Sequence, residues 1–542
     1  MTSVLIDRLR ADLTAANFSV TALTGLWGVD ADAALTRNQR VPAERALATL
    51  ARTRRRTEPT ATLATLFVLG RDVARADLIA ALPTLGADGA AELGLVADAD
   101  PAADPAASTH PAASDPAADI VRPLVELRPY SFRDAFGADS WWIVSDLGEL
   151  ALGHPLGESH VLGIGGASRT LSGLIMPTPA GRVLDLGTGC GIQAMHASRH
   201  AEHVVATDIS QRALDLAALN AALNGIDTIE FRLGSLFEPV AGERFDHIIS
   251  NPPFVITPRA PGVPSYEYRD GGMVGDALVE AVVRGAADHL TAGGVAQLLG
   301  NWEYRGSADA FERLQGWLAP ASAAPGASAA ATPEPLDAWI IEREVQLPSE
   351  YAETWIRDGG TRPGADFDRL YDAWLDDFTA RDVTRVGFGY LLLRRPAGIP
   401  DTSLALQRLE RLPEGLGHNP TGLGSHLEAC LQAHDWQAAR PDALLLRAHV
   451  SVASDVTEER HFWPGQDDPT LMTLHQGGGF GRQVALDTAL AALVGACDGD
   501  LSLGAIIGAL AQLLDAEEPA LTAQLLPQVR GLLDDGFLLP PV

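Results

Sequence analysis

The sequence predicts an α/β protein built on a doubly wound, mostly parallel sheet. Three observations predict it. Between residues 180 and 400, short apolar runs alternate with segments of helical periodicity, the pattern of strands joined by crossover helices. One such run, RVLDL, passes directly into Gly187, Gly189 and Gly191. A strand, a glycine turn and a helix in succession mark a ligand site at the carboxyl end of a parallel sheet. The next apolar run, HVVATD, ends in an acid, Asp208, at the equivalent position.

The elements follow in order. RVLDLG is a strand and IQAMHASRHA the helix after it. HVVATD is a strand, and SQRALDLAALNAALNG is a helix closed by Gly225. TIEFRLG and FDHIIS are strands, MVGDALVEAVVRGAADHL is a helix, and VAQLLGNWE is a strand. DAWIIEREV and RVGFGYLLLRRP read as the last two strands, with helical YAETWIRD and FDRLYDAWLDDF between them. Near-continuous apolar strands imply a sheet covered on both faces.

The flanks differ. Residues 1–96 read as a helical module, and 97–119 as a disordered Ala/Asp/Pro linker that cannot bury a core. Residues 120–160 carry VRPLVELRPYSF and SWWIVSDLGEL, strands leading into a central domain at 161–400. Residues 401–542 read as helices ending in a short strand, a winged-helix-like module. Residues 319–335 are a second low-complexity stretch, expected as a surface loop. HQGGGFGR, at 475–482, lacks the Lys and Ser/Thr of a phosphate loop and reads as a turn or wing.

With 542 residues, a prior of ~150 per domain gives roughly three or four domains. Apolar residues make up 46% and charged residues 20%, a globular balance. The formal net charge of -30 argues against extensive polyanion contact. Arg37, Arg40, Arg45, Arg52, Arg54, Arg55 and Arg56 run the other way. They read as a solvated helix face or as a local contact for RNA or a ribosomal partner. Cys190, Cys430 and Cys497 are widely spaced, so neither a disulfide framework nor a zinc site is expected. No apolar signal core opens the chain and no run of ~18 uncharged apolar residues occurs, so a cytoplasmic protein without membrane contact or metal is expected.

FDHIIS runs straight into Asn251-Pro252-Pro253-Phe254. Each proline fixes its φ and lacks a donor, and each pushes the residue before it towards extended backbone. The product is a stiff segment at a strand end with backbone acceptors left free.

DLGTGCG, then ATD, then NPPF, in that order, resembles class I S-adenosylmethionine-dependent methyltransferases. Within them the chain resembles the NPPY/F amino-methylating group: HemK-like protein-glutamine methyltransferases with their "methyltransferase small" domain, RsmC-like rRNA guanine methyltransferases, and adenine-N6 methyltransferases. YRDGG, at 268–272, resembles the DGG segment after NPPY in HemK-like enzymes, although DGGMVGD departs from DGGxDG. The likeness covers about residues 150–320. It implies a Rossmann-like seven-stranded sheet and S-adenosyl-L-methionine as cofactor. It implies that Asp185, Gly187, Thr188, Gly189 and Gly191 hold the methionine part and the ribose side. Asp208 would take the ribose hydroxyls, and Ile209, Ser235 and Leu236 the adenine region, where many relatives carry Asp in place of Ser235. Asp208 and Ser210 are equally readable as caps of the following helix. GIGGASRTL, at 163–171, is expected as a loop, either closing over the cofactor through Arg169 and Thr170 or simply flexible.

By the same resemblance Asn251, Pro252 and Phe254 are catalytic, with Asn251 also beside the cofactor. The acceptor is a planar –NH₂ whose delocalised lone pair makes a poor nucleophile. The Asn251 side-chain oxygen and the Pro252 carbonyl would accept its two N–H groups and orient it, and Phe254 would pack against it. A glutamine side-chain amide of a protein is the first expected substrate. An exocyclic amine of a nucleic-acid base, adenine N6 or guanine N2, is the alternative. A small-molecule N-methyltransferase and a non-catalytic scaffold fit the large flanks and the intact NPPF less well.

Overall fold

The computed structural model describes all residues except 1, 54–57, 100–118, 153–155, 265–266, 319–335, 398–405 and 542. Most of both low-complexity stretches, and Arg54, Arg55 and Arg56, therefore lie outside the described residues.

The central sheet has eight strands: β1 Ala180–Leu186, β2 Ala201–Asp208, β3 Ile229–Leu233, β4 Phe245–Ser250, β5 Leu290–Arg305, β6 Asp337–Gln346, β7 Val383–Arg394 and β8 Gln407–Arg411. Their order is β8-β6-β7-β5-β4-β1-β2-β3. The pairs β1–β2, β2–β3, β1–β4 and β4–β5 are parallel, and β7 runs antiparallel between β5 and β6. The sheet is thus doubly wound and mostly parallel. The expected count of seven is corrected to eight: Gln407–Arg411, assigned from sequence to the C-terminal module, pairs with β6. Its signal was hidden because QRLER is half-exposed and charged, as an edge strand can be.

The helices that matter to the site are α1 Gly166–Leu174, α2 Ile192–Ala197, α3 Gln211–Leu223, α4 Ala277–His289, α5 Ala310–Leu318, α6 Pro348–Asp358 and α7 Ala365–Ala380. α3 begins where the Ser210 side chain accepts the Ala213 N–H. It ends at Asn224 and at Gly225, whose φ of 72° is left-handed, as a C-terminal stop requires. α4 and α5 cover one face of the sheet, where Val279, Val282, Val283, Leu314 and Trp317 meet Leu298 and Trp302 of β5.

Residues 97–119 read as a disordered linker from sequence; the described residues at its two ends pair in one sheet. Val96–Asp98 pairs with Ile120–Pro123, which also pairs with Val73–Ala74. The strands Val125–Asp134 and Gly137–Asp146 then form a hairpin. One apolar cluster runs from Leu5, Leu9 and Phe18 through Leu127 and Val144 to Met195 and Leu216. The N-terminal helices, the hairpin and α2–α3 therefore share a core.

The docking is polar as well. Asn220 Nδ2 donates to the carbonyls of Val144 and Cys190, and its Oδ1 accepts the Val144 N–H. One turn on, Asn224 pairs in the same way with the N–H and C=O of Trp142. Two asparagines at i and i+4 lie on one helix face and here act as rungs beside the strand. Arg10 donates to the carbonyls of Ala222 and Leu223, which end α3.

At the other edge, the helix Gly424–Ala438 packs on α1, close enough that a Cβ on Gly424 would meet the Ile175 carbonyl. Arg408 of β8 pairs with Asp535, and Glu410 with Arg482. HQGGGFGR supplies the turn between the paired strands Leu471–Gln476 and Gln483–Leu486. The helices Thr488–Gly495, Leu503–Leu513 and Glu518–Asp534 complete this part, followed by the short strand Leu538–Leu539.

Asn220 is fully buried, and replacing it strands one N–H and two carbonyls in a buried interface. Each stranded group costs about 1–3 kcal/mol. Asn220→Ala is expected to lower the melting temperature by several degrees, read by differential scanning fluorimetry. A melting curve identical to wild type would contradict the ladder.

Candidate functional site

Strand order reverses between β1 and β4. In an open α/β sheet, the crevice at the carboxyl ends of such neighbours receives the ligand. Here β1 delivers Asp185 and the glycine turn, and β4 delivers Asn251. The two ends are tied, since buried Ser250 donates from Oγ to the Leu186 carbonyl at 2.7 Å.

The glycine turn is held from below. Gly187 and Thr188 both donate to the Thr207 carbonyl at 2.9 Å. Gly187, Gly189 and Gly191 all have positive φ, the region that strains residues with a Cβ. Their reasons differ. A Cβ on Gly191 would lie 2.9 Å from the Ala217 Cβ, so this glycine lets α3 approach. A Cβ on Gly187 or Gly189 would meet nothing within 4 Å, so those two face open space.

Asp185 is completely buried. Its Oδ2 accepts from the Thr188 hydroxyl at 2.6 Å and the Ala194 N–H at 2.9 Å, while Oδ1 is buried without a partner. Burial raises its pKa to about 7 against the pull of those two donors. Asp208 ends β2. Its Oδ2 accepts the Gly189 N–H and its Oδ1 the Ser210 N–H, each at 2.9 Å. Burial raises its pKa as well. Of the two candidate caps it is Ser210 that caps α3, while Asp208 braces the turn and each of its carboxylate oxygens keeps a further acceptor position. Beside it Ile209 is 52% exposed, an apolar side chain left facing out.

The end of β3 closes that side. Gly234 donates to the Asp208 carbonyl at 2.9 Å. Ser235 is exposed, and Leu236 is held half-buried at a φ of 46°, an uncommon conformation for a residue with a Cβ. The buried ring of Phe237 anchors the turn, stacking on His289 at 4.4 Å.

Asn251 follows β4 directly. Its Oδ1 is buried and has no hydrogen-bond partner. Pro252 is buried, and Phe254 is half-buried with its ring 5.5 Å from that of Phe388. The YRDGG segment supports this loop. Val255 donates to the Arg269 carbonyl at 2.9 Å, and Asp270 pairs with Arg259. A Cβ on Gly271 would come 3.1 Å from Pro253 Cγ, so that glycine lets the two segments touch. Asp185, Asp208 and Asn251 thus stand at the carboxyl ends of the neighbouring strands β1, β2 and β4. Asp185 Oδ1 and Asn251 Oδ1 are among the buried side-chain atoms without a hydrogen-bond partner, a condition rare enough to make both candidates for contact with a ligand.

Two expectations change. GIGGASRTL is not a single loop: residues from Gly166 onward form α1, and Arg169 is exposed on it. Of the arginine cluster, Arg40 is engaged inside the protein, bonded to the Leu150 carbonyl and close to Glu44. Sequence reasoning missed Thr207, the asparagine ladder and Tyr351, whose hydroxyl accepts the Ile256 N–H. Thr207 was legible as the residue before the strand-end acid. The tyrosine carries no local signal.

Residues 163–314 match the methyltransferase small domain. Residues 15–107 and 428–540 match two domains of unknown function (DUF7059 and DUF7782). The matched span covers β1 to β5 and so includes the glycine turn, Asp208 and Asn251. The chain is 37% identical over 147 residues to a Bradyrhizobium diazoefficiens ribosomal protein uL3 glutamine methyltransferase, covering 25% of this chain and 45% of that protein. It is 30% identical over 168 residues to a Salmonella newport ribosomal RNA small subunit methyltransferase C, covering 31% of this chain and 44% of that protein. The chain therefore spans less than half the length of these relatives. A T. thermophilus 16S rRNA methyltransferase solved with AdoMet and guanosine is 19% identical, covering 42% of this chain and 55% of that one at a TM-score of 0.24. Among the described residues, no helix is long and apolar enough to cross a membrane.

The buried acid makes a pH prediction. Between pH ~4 and ~7 the folded chain keeps a proton on Asp185 that the unfolded chain releases, so stability falls as pH rises and levels off above that window. Melting curves of wild type and Asp185→Asn should therefore converge at low pH and separate towards neutrality, with the variant less pH-dependent. Parallel curves would remove Asp185 as the source.

Proposed function

We propose that this protein is an S-adenosylmethionine-dependent N-methyltransferase acting on a planar amino nitrogen, most simply a glutamine side-chain amide of a protein. The observation that carries the proposal is the buried, unpartnered Asn251 Oδ1 beside the glycine turn.

The residues present fit the cofactor. Open space over Gly187 and Gly189 admits a ligand against bare backbone. The buried Asp185 carboxyl on one rim would face the cationic methionine end, with Thr188 and Gly191 shaping the turn. Asp208 offers acceptors to the ribose hydroxyls. Ile209, Ser235 and Leu236 form the apolar and polar edges of an adenine site. When bound, the cofactor supplies a sulfonium methyl group.

The chain's own residues do the rest. An amide nitrogen shares its lone pair with its carbonyl, so it attacks only when held in line and freed to pyramidalise. Asn251 Oδ1 accepts one N–H and the Pro252 carbonyl the other, which fixes the nitrogen and stabilises the positive charge that develops on it. Pro252 and Pro253 prevent the acceptors from relaxing, and Phe254 packs on the flat acceptor. The methylated nitrogen is then strongly acidic and loses its proton to water, so no dedicated base is required.

A protein amide is favoured over a base by two facts. The relative sharing 37% identity is named for glutamine methylation, and the net charge of -30 opposes a polyanion. Methylation of an exocyclic base amine is the second reading, favoured by the longer match to the ribosomal RNA methyltransferase. A steep salt dependence of substrate binding would support it.

Two variants test the proposal. Asn251→Ala should keep cofactor affinity by calorimetry yet lose methyl transfer about 10²–10³-fold, the scale for removing one transition-state hydrogen bond. Asp208→Ala should weaken cofactor binding about tenfold or more, since each bond to a charged group contributes ~1.5–3 kcal/mol. Undiminished transfer by the first, or wild-type affinity in the second, would remove that residue from the site.

A further inference from the structure

Between β6 and β7 the chain leaves the sheet to build α6 and α7, which the parallel winding does not require. These helices pack against the segment after NPPF: Val255 and Ile256 share an apolar cluster with Ile356, Leu370, Trp374 and Phe378. One polar contact reaches through that cluster. The buried Tyr351 hydroxyl accepts the Ile256 N–H at 3.0 Å and the Asn301 Nδ2 donor at 2.5 Å. Asn301 is itself buried, on β5, directly across from Phe388 of β7.

The acceptor loop is thus fastened on both sides. Upstream, β4 ends in the Ser250–Leu186 bond. Downstream, Val255 donates to the Arg269 carbonyl and Ile256, the next residue, is held by Tyr351. Asn251, Pro252 and Phe254 lie between them. Two prolines make the span stiff, so a shift at Ile256 is carried back to Asn251 instead of being absorbed in between.

We propose that Tyr351 is a positioning residue for methyl transfer: its hydroxyl, fixed by Asn301, sets where Asn251 and Phe254 stand. This inference rests on the reading that Asn251 orients the acceptor nitrogen. A phenylalanine at 351 keeps the ring packed against Trp355, Trp374 and Phe378 and removes the acceptor of two buried donors, the Ile256 N–H and Asn301 Nδ2.

The test uses the full-length chain with Tyr351→Phe, Asn301→Ala and Asn251→Ala. Three quantities are measured: affinity for S-adenosylmethionine, transfer of tritiated methyl to nuclease-treated bacterial protein extract, and amide exchange of a peptide covering 251–258. Tyr351→Phe should keep cofactor affinity within about twofold and lose transfer about 10–100-fold, the effect of a displacement near 1 Å. Exchange in the 251–258 peptide should quicken, and melting temperature should fall by a few degrees because two buried donors lose their acceptor. Asn301→Ala should give the same pattern in weaker form. Unchanged exchange in Tyr351→Phe, or transfer and cofactor affinity falling together, would overturn the positioning role. Full transfer by Tyr351→Phe beside a dead Asn251→Ala would reject this inference and leave the acceptor reading standing. Full transfer by both would reject the two together.

Discussion

The reversal of strand order between β1 and β4 is the constraint on which the rest depends. It opens the sheet where backbone groups point upward with no crossover helix above them. Asp185 and Asn251 flank that gap, and this position is what the proposed function draws on. The Ser250–Leu186 hydrogen bond keeps its two sides in register. The glycine turn and the proline loop are opposite solutions to one need. One side must let backbone come close to a ligand and therefore gives up side chains. The other must hold acceptors still and therefore gives up freedom of φ.

The flanking parts are built onto this centre and not merely strung beside it. The hairpin strand Gly137–Asp146 lies along α3 through Asn220 and Asn224. Asn220 also reaches the Cys190 carbonyl inside the glycine turn. The N-terminal part therefore touches the frame of the crevice through α3, while the C-terminal part extends the sheet through β8 and packs on α1. Each flank contributes to the stability of the element beside the site, and truncations at the boundaries suggested by composition would cut through shared cores.

Much of the centre was legible because local chemistry and position coincide there. RVLDLG, HVVATD and ISNPPF each announce a buried strand and then break the pattern with residues that only a turn, a cap or a ligand explains. The capping Ser210 and the stop at Gly225 were visible for the same reason. What stayed hidden depends on partners distant in sequence. QRLER shows no apolar alternation because one edge of β8 is free. Gly166–Leu174 reads as a loop because its glycines weaken helix propensity, whereas packing against the C-terminal part holds it helical. Tyr351 is indistinguishable from any core aromatic until Ile256 and Asn301 are placed beside it, 95 and 50 residues away.

The most direct test of the account is the chemical identity of the methylated atom. Purified protein, tritiated S-adenosylmethionine and bacterial lysate treated in parallel with nuclease or protease would be followed by hydrolysis and chromatography of the labelled fraction. The account predicts label that survives nuclease, is lost to protease and elutes as a methylated glutamine amide. Label lost to nuclease and recovered on a base amine would move the acceptor to nucleic acid. Label recovered on carbon, or on an aliphatic amine, would contradict the account, because neither presents the planar –NH₂ that Asn251 and Pro252 are arranged to hold.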